Sequence, residues 1–346
     1  MSFEVVNPII YTELHEHAAV KYWRLLHLGA RTPTAIEILK ENQDKQKNNK
    51  AKSVVYRLCG VGENGSNVVA KRCWYEIAQI ERLIYEEILP SLPLQTLQFY
   101  GSVAETEGDY CWLFLEDAGG VAYSPHRREH CVAAGHLLGE LHKSTTHISI
   151  EARLPKRDSH YYFKQLLLGA SAIQDNLSNP ALTHKDIVTL NSVLKKYDAL
   201  TCRWEQIERI CESVPHSLVH GDFVAKNMRV RENASGLIIL PYDWEFAGWG
   251  PPMIDLAPSP PMSTRFSANP DIITYRTVVR NAWSHVALSI YKQFADIGTI
   301  FRLLAAINWA AEGLKYEWVE GSMNKINAYE ARIRNAFDSA VWRIGI

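Results

Sequence analysis

Two stretches in the second half of the chain concentrate side chains with chemical potential. HGDFVAKN carries His220, Gly221, Asp222 and Asn227, and LPYDWEFAGWG carries Asp243 sixteen residues after Asn227. An aspartate followed by an asparagine five residues on lets one loop present a carboxylate and an amide oxygen together. A further aspartate at the end of the next strand can complete a set of hard oxygen ligands for Mg²⁺. Phosphoryl transfer asks for little more: a carboxylate beside the attacking hydroxyl, and metal-bound oxygens to neutralise phosphate charge. Each stretch alone has a plainer reading, as a turn capped by an aspartate or a strand running into a surface turn. Their order and spacing together favour the chemical one.

HGDFVAKN followed by YDWEFAGWGPPMIDLA resembles the catalytic loop and metal-binding segment of the aminoglycoside phosphotransferase and choline kinase-like family of small-molecule kinases. That resemblance implies Asp222 as the catalytic base or hydroxyl-orienting residue, with Asn227 and Asp243 holding Mg²⁺. It implies Asp255 as an aspartate bracing the catalytic loop, and His220 as a second brace. In SNVVAKR, Lys71 sits as in the Val-Ala-Ile-Lys pattern whose lysine grips the α- and β-phosphates. ERLIYEEILP is similar to the family's following helix and offers Glu81 as the partner of Lys71, with Glu76 as rival. WLFLEDAGG resembles the strand and linker between two lobes, so backbone groups of Glu116, Asp117 and Ala118 are expected at the nucleotide base. His142, in ELHKST, is similar to a helix-ending histidine of the family and is expected to be structural. The cofactors implied are ATP or GTP with Mg²⁺, and the partner is a small-molecule acceptor with a hydroxyl group.

One departure concerns the phosphates. The Gly-x-Gly-x-x-Gly loop of protein kinases is absent where phosphates should be covered, between the first two strands, and the segment there is Lys40–Lys52, KENQDKQKNNKAK. It has little to bury and reads as an exposed loop. Lysines 45, 47, 50 and 52 either supply charge to the phosphates or are simply solvated.

The acceptor is less legible. In FRLLAAINWAAEGLKYEWVEG, Trp309, Glu312, Tyr316 and Glu320 are spaced to share one helical face. Aromatic rings with carboxylates suit a cationic amine; the alternative is a helix packing its aromatics inward with its glutamates in water. His-Gly-Asp in place of His-Asn-Asp makes choline itself a poorer fit to the resemblance.

The elements that must position these residues follow from periodicity. Residues 7–28 read as a helix, and Ala35–Leu39 as the start of a strand. SVVYRLCGV and SNVVAKRCW read as strands joined by a turn at GENG. Trp74–Leu89 has apolar residues on one helical face and is stopped by Pro90 and Pro93. LQFYGSVAE and YCWLFLEDAGG add two strands. Residues 126–144, most of 160–212 and 270–346 read as helices, interrupted by strands near 216–244. The fold class expected is α+β, a protein-kinase-like two-lobed fold. Its small β-rich amino-terminal lobe is drawn at 1–117, and its larger, mostly helical carboxy-terminal lobe at 118–346.

Composition narrows the classes. The 346 residues suit two lobes rather than one small core. Lysines and arginines number 37 against 38 acidic residues, a net charge of −1, which gives no global field for nucleic acid or an anionic membrane. Mean hydropathy is −0.17, and no run reads as a membrane span. The six cysteines form no CxxC pair and are expected to be reduced and inert. A cytoplasmic monomer or homodimer is the expectation. Two other functions compete with the small-molecule kinase. A protein kinase fits poorly, because only twelve residues separate Asp243 from Asp255, without Asp-Phe-Gly or Ala-Pro-Glu. A non-catalytic nucleotide-binding scaffold keeps the fold without turnover.

Overall fold

A computed structural model describes residues 6–8, 14–43, 51–106, 108–234, 236–257 and 268–339. In chain order, β1 (Val6–Pro8) and α1 (Ala18–Leu26) precede the hairpin of β2 (Ile36–Gln43) and β3 (Ala51–Leu58). Next come β4 (Val68–Trp74), α2 (Tyr75–Leu83), β5 (Phe99–Ala104), β6 (Tyr110–Glu116) and the short β7 (Val121–Ala122). Helices α3 (Arg128–Thr145), α4 (Ser159–Asn176), α5 (His184–Thr201) and α6 (Trp204–Glu212) lead to β8 (Ser217–Val219). The hairpin β9 (Met228–Asn233) and β10 (Gly236–Pro241) is followed by β11 (Gly248–Gly250). Last are α7 (Ile272–Val279), α8 (Leu288–Ala311) and α9 (Glu320–Ser339).

Two compact units result. One comprises Met1–Tyr123 with Lys226–Phe246, and the other Ser124–Ala225 with Ala247–Ile346. The sequence-read division after residue 117 leaves the β9–β10 hairpin with the helices. In the structure that hairpin belongs to the first unit, because β9 also pairs with β7, Val121 opposite Val230.

The first unit is built on an antiparallel six-stranded sheet in the order β1-β2-β3-β4-β6-β5. Side chains alternate across a strand, and β4 shows the consequence. Val68 and Ala70 join Trp112 and Phe114 in a core closed by Ala19, Val20 and Trp23 of α1. On the opposite face Cys73 packs with Cys111, Leu113 and Ala78 of α2. Lys71 stands on that second face, toward α2.

The segment expected as an exposed loop at Lys40–Lys52 is corrected in part. Lys40 to Gln43 and Ala51 onward are paired strand, with Lys40 opposite Val55 and Gln43 opposite Ala51. The polar run is carried by its partner strand rather than by its own burial or propensity. Lysines 45, 47 and 50 lie outside the described residues. The amino-terminal stretch expected as one helix over 7–28 instead holds β1, a short turn of helix at Leu14–Glu16, and α1. Its helix begins only at Ala18, where the His17 ring accepts the Ala19 N–H through Nδ1 at 3.2 Å.

In the second unit, α3 packs on α7, and α8 packs on α4 and α9. The stretch Ser289–Lys315 is long and apolar enough to cross a membrane, with a hydropathy of 1.2. Its most apolar window is 71% buried inside the protein, the behaviour of a core helix. Of the cysteines, Cys73, Cys111, Cys131 and Cys211 are buried, Cys59 is half-buried and Cys202 is exposed, all as free thiols.

Candidate active site

In the first unit, a pocket is walled by Leu39, Val55, Val69, Leu97 and Leu115, with charge at one end and the linker after β6 at the other. The charge begins on α2. Ala78 of α2, with Ile84, Tyr85 and Ile88 of the π-helical turn that continues it, forms a buried stripe, and Glu81 sits in the middle of that stripe at 0% exposure. A carboxylate so placed needs a partner, and Lys71 Nζ donates to Glu81 Oε1. Glu76, the rival, is exposed. Lys71 Nζ also donates to Asp243 Oδ1 at 2.6 Å, and Lys40 Nζ donates to Asp243 Oδ2 at 3.2 Å. Asp243 thus sits between two ammonium groups, in a left-handed backbone conformation with φ of 68°. Such a conformation costs a non-glycine residue about 1–3 kcal/mol and recurs where a side chain is held for function.

Titration follows from these contacts. Burial pushes Glu81 up to about 7, with Lys71 opposing; its second oxygen, Oε2, has no hydrogen-bond partner among the described residues. For Asp243, burial acts upward, but Lys71 and Lys40 outweigh it and hold the carboxyl well below the usual range. For Lys71, burial disfavours the charge, yet Asp243 and Glu81 together raise it well above an ordinary lysine. Asn227, 3% exposed, lines the same pocket, and its carbonyl accepts the Tyr242 N–H at 3.0 Å. Asn227 and Asp243 therefore offer an amide and a carboxylate side chain to one cavity, a donor set that fits a hard divalent cation.

At the linker end, the segment Glu116–Ala118 is tied on several sides. Arg231 of β9 donates to the Glu116 carboxylate at 2.6 Å, to the Asp117 carbonyl at 2.8 Å and to the Ala118 carbonyl at 2.6 Å. Arg57 of β3 donates to the Asp117 carboxylate at 2.6 Å and to Glu37 at 2.7 Å. Gly120 has φ of 59°, and a Cβ there would lie 2.3 Å from the Val230 carbonyl, so the turn onto β9 admits only glycine. The Ala118 N–H makes no hydrogen bond among the described residues, while Ala118 lines the pocket.

Asp222, His220 and Asp255 lie in the second unit. Strand β8 pairs with β11 and runs into His220. Asp255 is fully buried, and its carboxylate accepts the N–H of His220 at 2.6 Å and of Gly221 at 3.0 Å. His142 Nε2 lies 3.4 Å from the same carboxylate, and its Nδ1 is 3.1 Å from the Tyr275 hydroxyl. Burial would raise the Asp255 pKa; the hydrogen bond and charge of His142, with His220, bring it below the usual value. Gly221, at φ of 76°, turns the chain, and the Asp222 N–H donates back to His220 Nδ1 at 3.3 Å. That bond requires Nδ1 to carry a lone pair. Arg302 of α8 donates to Asp222 Oδ1 and to the Phe223 carbonyl, both at 3.1 Å.

The structure thus gathers Lys71, Glu81, Asn227, Asp243 and the linker residues in one unit, and Asp222, His220 and Asp255 in the other. It does not form the expected helical face of Trp309, Glu312, Tyr316 and Glu320. Helix α8 ends at Ala311, Glu312–Lys315 is a 3₁₀ turn, and Tyr316 is extended. Within that turn Gly313 packs close to α9, where a Cβ would lie 2.1 Å from the Ser322 hydroxyl. Tyr316 instead stacks on Trp318 at 5.1 Å, and Glu320 opens α9. Arg231 and Arg302 have no place in the sequence reading, and Lys40 enters it only as the first residue of a loop. Nothing local marks them, since each meets its partner across 80 residues of chain or more.

A sequence model of the phosphotransferase enzyme family matches residues 86–277, more than half of the chain. The chain belongs to this family. The matched stretch contains Asp222, Asn227, Asp243 and Asp255 and begins after Lys71 and Glu81. No curated protein matches the sequence. Among solved structures, wild-type aminoglycoside 2′-phosphotransferase-IIIa in its GDP complex superposes with a TM-score of 0.59 at 13% identity, covering 93% of this chain and 99% of that one. Spectinomycin phosphotransferase APH(9)-Ia, in complex with ADP and spectinomycin, gives 0.56 at 12%, covering 88% and 93%. Choline kinase from Cryptosporidium parvum Iowa II gives 0.55 at 12%, covering 88% and 90%. At such identities the likeness is one of fold, and the fold of this family member is kinase-like.

Proposed function

We propose that the protein transfers the γ-phosphate of a nucleoside triphosphate to a hydroxyl of a small molecule. The observation that carries this reading is the buried Lys71 ammonium, bonded to both Glu81 and Asp243 in a pocket that Ala118 of the linker also lines. A lysine so held is oriented for phosphate oxygens. The apolar walls and the Ala118 donor suit a purine ring and its edge. The ADP and GDP complexes among the structural neighbours support nucleotide binding. Those neighbours include kinases of choline and of aminoglycosides, which supports a small acceptor.

In this reading Asp222 orients the acceptor hydroxyl and takes its proton as the new P–O bond forms, while the leaving nucleoside diphosphate keeps the bridging oxygen. Asp255 fixes the loop that carries Asp222 by binding two of its amides. Mg²⁺, held by Asn227 and Asp243, would neutralise charge on the phosphates. Arg302 holds Asp222 in one orientation.

The test is nucleotide consumption by the purified protein with Mg²⁺ against aminoglycosides, macrolides, choline, ethanolamine, sugars and nucleosides, with Asp222→Ala as blank. Acceptor-stimulated turnover lost in Asp222→Ala supports the reading. Nucleotide binding without turnover on any acceptor would favour a scaffold.

A further inference from the structure

The phosphate end of the pocket holds a cation that the family resemblance does not bring with it. No glycine occurs from Arg31 to Cys59, so β2 and β3 are not joined by a glycine-rich loop of the kind that lets a backbone close on phosphates. In its place the hairpin carries an irregularity: the register of β2 against β3 shifts between Ile38 and Lys40. In a regular strand, neighbouring side chains point to opposite faces. A bulge breaks that alternation and re-aims a side chain, and here both Leu39 and Lys40 line the pocket. Lys40 is in register with Val55, another pocket residue. Its side chain is 35% exposed, and its Nζ rests 3.2 Å from Asp243 Oδ2.

Building on the phosphotransferase reading, we propose that Lys40 is a nucleotide-binding residue, resting on Asp243 and engaging the outer phosphates of a bound triphosphate. Asp243 already has Lys71 on its other oxygen at 2.6 Å, so releasing Lys40 leaves that carboxylate compensated. A triphosphate brings several negative charges to a pocket end where Lys71 is tied to two carboxylates. A flexible ammonium on a four-carbon stem is suited to move from carboxylate to phosphate as a point charge. The bulge serves as the sequence's substitute for glycine-rich amides.

Equilibrium binding to the full chain, read by displacement of a fluorescent adenine nucleotide with EDTA present, separates the possibilities. ATP and AMP are compared on wild type, Lys40→Met and Lys40→Arg. Lys40→Met is expected to weaken ATP about tenfold and leave AMP within about twofold, with Lys40→Arg recovering most of the loss. Unchanged ATP affinity in Lys40→Met, or equal weakening of ATP and AMP, overturns the proposal while leaving the nucleotide reading intact. Failure of wild type to bind ATP and AMP, and equally GTP and GMP against a fluorescent guanine nucleotide, overturns both.

Discussion

Glu81 occupies a place on α2 where its neighbours Ala78, on the same helix, and Ile84 and Tyr85, on the turn that continues it, are all buried. A lone carboxylate there would be prohibitive, so its presence is a statement about Lys71. Replacing Glu81 with Ala leaves the buried ammonium with Asp243 alone and is expected to cost about 3–5 kcal/mol, read from urea unfolding midpoints. At Asp222 the expectation is different in kind. Asp222→Ala should lower kcat by roughly 10²–10⁴, with nucleotide affinity within about twofold. A fall in affinity comparable to the fall in kcat would remove Asp222 from its assigned role. The residues that announced themselves in the sequence, Asp222, Asn227 and Asp243, do so because their types are rare in combination and their spacing is local. Lys40 does not, because its run of polar neighbours describes a loop. Only the register against Val55 reveals a strand with a bulge.

At the scale of elements, the linker after β6 and the amino terminus of α1 each make a prediction. Arg231 binds two linker carbonyls and the Glu116 side chain, so it holds the linker without itself lining the pocket. Arg231→Gln is expected to raise the KM for nucleotide about tenfold while leaving kcat within about threefold. An equal fall in kcat would argue for a wider collapse. His17 caps α1 through an unprotonated Nδ1, and burial lowers its pKa. Burial lowers His216 as well. The unfolded chain, titrating near 6.5, therefore binds more protons than the folded one as pH falls. The stabilisation is complete above that value and is lost as pH drops below it toward the folded pKa values. Glu81, raised to about 7 by burial, acts in the opposite sense over the same window, so the histidine contribution is read as a difference. The melting temperature of wild type relative to His17→Asn, which keeps a capping side chain, should fall from pH 7.5 to 5.5. Strands were readable where valines and aromatics alternate, as in β3, β4 and β6. The end of α8 was not, because no proline marks it and the chain passes from α-helix at Ala311 straight into a 3₁₀ turn over Glu312–Lys315.

For the whole molecule, a division into a β-rich part and a helical part was legible from periodicity. The membership of residues 226–246 was not. Their place depends on pairings such as Val121 with Val230, and nothing in a local pattern states which strand a hairpin will join. A chain ended after Tyr123 should therefore lack a cooperative unfolding transition by circular dichroism. A chain in which a short Gly/Ser linker joins Tyr123 to Lys226–Phe246 should regain one. The contact between Lys71 and Asp243 spans 172 residues, and the intervening stretch, Ser124–Ala225, belongs to the other unit. During synthesis the ribosome delivers that stretch before the strands that complete the first unit. Until residue 246 has emerged, Lys71 and Glu81 have no Asp243 to meet, and β7 has no β9 to pair with. Loop closure over such a distance is slow relative to local helix formation. The nascent first unit must then stay incomplete for the time needed to translate more than a hundred codons, with its sheet exposed to chaperones and proteases throughout.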